Sequence, residues 1–138
     1  MGRVISTDRP GNTRSYHRRT IAEALRRLSQ KPKLDEEAKD LAAVIVVSML
    51  GIAETIDQTL DAWEKRDYYM KAERFREQWR WLEPLTDQLS GVIYEGQWEQ
   101  LPDVLIRLMP HFSDVTIKQL TRSPEVWEGA YTKLMAKG

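Results

Sequence analysis

From Leu41 to Ala53 the chain reads LAAVIVVSMLGIA, uncharged and apolar on every side of a helix. A helix of that kind is surrounded by protein, so the run predicts a central buried helix. Asp35, Glu36 and Glu37 lead into it, and their negative charge suits a helix N-terminus. Beyond the run the pattern changes. Ile52, Ile56 and Trp63 keep one face apolar, while Glu54, Asp57, Asp61 and Glu64 line the opposite face.

A second face follows. Tyr68, Ala72, Phe75, Trp79, Leu82, Leu89 and Ile93 recur at steps of three, four or seven, a helical period that continues past Pro84 almost in phase. No Gly or Pro stands between Gly51 and Pro84, so these two faces lie on one long rod or on two arms of a hairpin. The phase slips between Trp63 and Tyr68, which favours a turn near Lys65-Arg66-Asp67 with Asp67 as the N-cap of the returning helix.

The remaining elements are shorter. Residues 1–12 read as an arm with turn chemistry at Pro10-Gly11-Asn12. A helix from about Thr13 to Gln30 carries Ile21, Ala24, Leu25 and Leu28 on a narrow stripe, and Pro32 ends it. Gly96 closes the returning helix. Leu101, Val104, Leu105 and Leu108 mark another helix, with Pro102 tolerable only in its first turn. Ser113 is placed to cap a short helix with Val115, Ile117 and Leu120. Ser123-Pro124-Glu125 is a start signal for a last one with Trp127, Ala130, Tyr131 and Leu134. No strand-like alternation occurs. The expectation is an all-α, single-domain bundle (1–138) of five or six helices around a long hairpin, about 35–66 and 67–95.

Charge adds a division that the hydrophobic pattern does not show. The net charge is zero, yet residues 1–33 hold nine Arg and Lys against Asp8 and Glu23, a balance of +7. The remainder balances it at −7, and such asymmetry suggests an anionic partner for the basic part: nucleic acid, a membrane surface or the chain's own acidic part. Arg14, Arg18, Arg19, Arg26 and Arg27 are the residues expected to meet it. Nucleic acid is the sharpest external candidate, although no recognition-helix, RNA-binding or zinc-finger pattern is present. The internal alternative docks the same arginines on Glu54, Asp57, Asp61 and Glu64.

Trp63, Met70 and Trp81 fall off the main apolar face, roughly 100–160° round a continuous helix. They are expected to be covered by the C-terminal helices or to form a homodimer contact, where Met and aromatic residues are enriched.

Glu37-x-x-Asp40 and Glu54-x-x-Asp57 resemble the paired acids with which helical nucleotide pyrophosphatases hold magnesium. The resemblance covers four residues. On one helix the two pairs lie about 25 Å apart, too far for a shared ion. A magnesium-dependent nucleotide hydrolase using the acids of this helix is therefore the rival reading, and a purely structural homodimeric scaffold is another. His17 and His111 lack a helical Glu-x-x-His partner. There is no Cys, no Gly-rich phosphate loop and no motif presenting a Ser or Thr nucleophile. No cofactor, metal or small-molecule substrate is expected. The N-terminus lacks signal-peptide character and no apolar run reaches membrane-spanning length, so no membrane contact and a cytoplasmic location are expected. The function these features imply is non-enzymatic: a small helical interaction protein.

Overall fold

A computed structural model describes residues 9–138. Six α-helices and no strand occur among them: α1 (Pro10–Ser29), α2 (Glu36–Lys65), α3 (Tyr69–Gln78), α4 (Leu82–Glu95), α5 (Leu101–Leu108) and α6 (Ala130–Lys137). Short 3-10 turns at Trp98–Gln100, Met109–Phe112 and Pro124–Val126 lead into or out of the later helices. Most of the expected arm, residues 1–8, lies outside the described residues. Its last three positions do not form a turn. Pro10 begins α1, where a missing N–H costs nothing and its fixed φ suits the helix.

α2 is the central element. Its 30 residues span about 45 Å. Asp35 caps it, accepting the Ala38 N–H at 2.8 Å, and Lys31 bridges Asp35 and Glu37 at 2.9 and 2.7 Å. α1 packs along one side of α2, and α4 and α6 pack on others. Ile21, Leu41, Ile45, Met49, Ile52, Leu89 and Ile93 of α1, α2 and α4 are fully buried, as is Leu108 of α5. Gly51 brings α1 close. A Cβ there would stand 2.8 Å from Cδ2 and 2.9 Å from Cε1 of His17, so only glycine admits the imidazole. The apolar run of α2 is not covered all round, because Val47 and Leu50 stay 46% and 53% exposed.

The hairpin forms, and it turns at Asp67 by a different device from the one expected. Asp67 has φ 63° and follows the end of α2; it does not cap α3, whose N-cap is Tyr68. The Tyr68 N–H donates to the Trp63 carbonyl and the Asp67 N–H to that of Glu64. This is the Schellman closure that Gly96 makes at the end of α4, where the Gln97 N–H reaches Val92 and the Gly96 N–H reaches Ile93.

The returning arm is also broken. A helix continuous through Pro84 would drive the proline ring against the preceding turn. The chain instead leaves helical geometry at Trp79–Trp81 and restarts at Leu82, which places Pro84 in a first turn. Pro102 is likewise in the first turn of α5.

The short helix expected after Ser113 is absent: residues 113–123 carry no helix. Val115, Ile117 and Leu120 are half-buried, and the backbone carbonyls of Thr116, Ile117 and Gln119 accept from arginines of α1. A segment whose carbonyls are taken by side chains has no need of a helical ladder.

Candidate functional site

All five arginines singled out by charge project from α1, and each finds a partner within the chain. The Arg14 guanidinium donates to the Thr55 and Thr59 hydroxyls at 3.1 and 3.4 Å and lies 4.9 Å from the Phe75 ring centre. Arg18 donates to the His111 carbonyl at 3.0 Å, pairs with Asp114 at 2.5 Å and covers Phe112. Arg19 reaches the carbonyls of Thr116 and Gln119 at 3.0 and 2.8 Å. Arg26 reaches that of Ile117 at 3.1 Å; Arg27 reaches that of Arg122 at 3.4 Å and covers Trp127. Arg18, Arg19, Arg26 and Arg27 thus hold a strap formed by residues 111–122, while Arg14 is held against α2 and α3. The acids of α2 do not receive these arginines.

Glu23 completes the hold from the same helix. Its side chain is 1% exposed. Its carboxylate accepts the Thr121 N–H (2.8 Å), the Thr121 hydroxyl (2.6 Å), the Arg122 N–H (2.8 Å) and the Arg19 Nε–H (2.7 Å). Burial alone pushes this carboxyl up. The donors from Thr121, Arg122 and Arg19 outweigh it and hold it down at about 2. Arg122 returns the contact, donating to the Thr20 hydroxyl and the Tyr16 carbonyl and covering the Tyr16 ring. The sequence offered one clue to Glu23: a lone acid beside Ile21, Ala24 and Leu25 in an otherwise basic segment.

Trp63, Met70 and Trp81 do not meet. Trp63 is half-buried, edge-on to Phe75 at 5.1 Å and beneath the Lys71 ammonium. Trp81 lies in a stack, 3.8 Å from His111 with planes 8° apart and 5.4 Å from Trp79. Met70 is 72% exposed. Both histidines are pushed below their ordinary value by burial, and for His17 the charge of Glu54 partly opposes the shift.

The acid pairs also separate. Glu37 binds Lys31, while Asp40 accepts the N–H groups of Gly129 and Tyr131 at the start of α6. Glu54, Asp57 and Asp61 are exposed on α2, and Glu64 pairs with Arg76. Among the described residues no group of three or more acidic or histidine side chains is arranged to hold a metal ion.

Among the described residues, two of the apolar grooves lie against α2 and its neighbours. One, of about 370 Å³, lies between the α1–α2 link and α5, with Leu34 and Ile106 on its rim. The other, of about 290 Å³, lies between α2 and α4. Leu50, Ala53 and Leu82 are among its apolar lining, Trp79 is its aromatic wall, and Asp57, Glu83 and Asp87 stand on its rim. Asp57, Glu83 and Asp87 make no ion pair among the described residues. Among the described residues the one cation in the lining, Arg76, is committed to Glu64 and Glu73. Glu83 and Asp87 escaped the sequence reading because they join Asp57 only once α4 folds back on α2.

Compared with protein-family models, curated proteins and solved structures, the chain matches none.

Proposed function

We propose that this chain is a non-enzymatic helical interaction protein that takes a partner in the groove between α2 and α4. Leu50 carries the reading. It is 53% exposed at the edge of an apolar floor, beside three acids without ion pairs. An apolar groove with a charged rim receives an amphipathic helix by burying that helix's apolar face and pairing its flanks. Here the rim is acidic, so the complementary helix is basic.

A synthetic amphipathic peptide of about four turns, with Leu on one face and Arg on the flanks, tests this. Its fluorescence anisotropy is expected to rise with added protein. Leu50→Ser combined with Asp57→Asn should weaken binding by about tenfold, near 1.4 kcal/mol. Absence of binding, or equal binding by the variant, would overturn the reading.

The charge split supports a second reading, in which α1 engages a polyanion. Backbone carbonyls accept from its arginines as phosphate oxygens would, so a nucleic acid would have to displace the strap. Retardation of duplex DNA or RNA that weakens with salt, and is lost in the Arg14→Gln, Arg18→Gln, Arg19→Gln variant, would favour it. Phosphate release from nucleoside triphosphates that needs both Mg²⁺ and Asp57 would favour the hydrolase instead.

A further inference from the structure

We infer that the occupant of the α2–α4 groove is a second copy of this chain, which inserts the exposed face of its α3. The inference rests on the groove being a docking site, and the chain itself supplies a surface of the opposite character. Met70 is 72% exposed on the first turn of α3, with Lys71 and Arg74 beside it. Arg74 is exposed and makes no ion pair among the described residues; Lys71 is exposed and rests on the Trp63 ring. Met70 and Arg74 are four residues apart, hence on one face of the helix. Met70 thus has cations at the next position and one turn on, and Glu73, the acid on the same face, is held by Arg76. The groove presents an apolar floor flanked by Asp57, Glu83 and Asp87.

Sign and polarity therefore match across two surfaces that each lack cover. Met is suited to an irregular apolar floor because its side chain is unbranched and adaptable. Paired charges at the rim then set orientation and speed of association. The two surfaces are different, so the contact is either exchanged between two copies or repeated head to tail. The five α1 arginines do not supply the basic half of such a contact, because Arg18, Arg19, Arg26 and Arg27 are engaged with the strap and Arg14 with Thr55, Thr59 and the Phe75 ring.

Sedimentation velocity over a concentration series, joined to a charge exchange, is the test. The wild type is expected to self-associate. Asp57→Lys with Glu83→Lys should abolish association, and so should Lys71→Glu with Arg74→Glu; all four positions are exposed, so melting temperatures should hold. A chain carrying all four changes should associate again, because opposite charges face each other once more. Glu95→Gln with Glu99→Gln, exposed acids elsewhere, should leave association unchanged. A wild type that stays monomeric, or a fourfold variant that does not recover, would overturn the self-contact. The Leu/Arg peptide then separates the two levels. A monomer that still binds it through Asp57 keeps the groove as a docking site for another protein, whereas a monomer that does not bind it loses both.

Discussion

The Glu23 carboxylate on α1 accepts the backbone N–H of Arg122 at 2.8 Å, joining positions 99 residues apart. Its folded-state pKa near 2 lies below the ordinary 4.5, so folding favours its charged form. The stabilisation is complete above about pH 4.5 and is lost as pH falls toward 2; at neutral pH it amounts to about 3 kcal/mol. Glu23→Gln should remove most of it and flatten the acid limb of a melting-temperature profile. An unchanged acid limb would show that the latch contributes nothing.

Gly51 and His17 make a second coupled pair. Gly51→Ala should cost about 1–3 kcal/mol, because the imidazole must leave its place against α2. Adding His17→Ala should recover part of the loss, and a double-mutant cycle measures how much. Strictly additive losses would contradict the contact.

The two histidines predict a second pH window. Both sit below the ordinary 6.5, so the unfolded chain binds their protons more readily than the folded one. Stability is complete above pH 6.5 and falls as pH drops through the lowered values. His17→Gln with His111→Gln should make the profile flatter below the ordinary histidine value. A slope unchanged by the double variant would assign it to other groups.

Trp81→Ala should cost about 3 kcal/mol, comparable to Trp79→Ala, because each ring packs against the other. It should also return His111 toward its ordinary pKa by opening the stack to water. Proton NMR titration of the chain's two histidines reads this directly.

At the hairpin, Asp67 adopts a left-handed conformation that glycine adopts without strain. Asp67→Gly should raise stability by about 0.5–1 kcal/mol, less what is lost with the exposed Tyr69-to-Asp67 hydrogen bond. A lower melting temperature would show that this side chain matters more than its backbone strain.

The helical class and the hairpin were legible because apolar spacing is a local property. Ile21, Leu89 and Ile93 fall on the stripes that their spacing defines, whereas the all-apolar run of α2 did not show which of its sides would stay open. The break at Trp79–Trp81 was less legible, since Pro84 permits either a kink or an early stop and the downstream phase survives both. Asp67 hid the turn geometry because it stands where glycine is the usual signal. The site was hardest to see. Charge picked out the five arginines but could not distinguish phosphate oxygens from the chain's own carbonyls. Nothing in the spacing of residues 113–123 announced a segment fastened by side chains of α1.

That fastening has a consequence for the order in which the molecule is made. α1 and α2 are adjacent in sequence and can pair while the nascent chain is still growing, but Glu23 meets no backbone donor from the strap until Arg122 has cleared the ribosome. Until then its carboxylate and the strap-binding guanidinium groups must remain hydrated, and that edge of α1 stays open. Contacts that close so large a loop are costly in chain entropy and slow to form. The edge of α1 that meets the strap therefore closes late, although α1 is the earliest of the described helices in the chain.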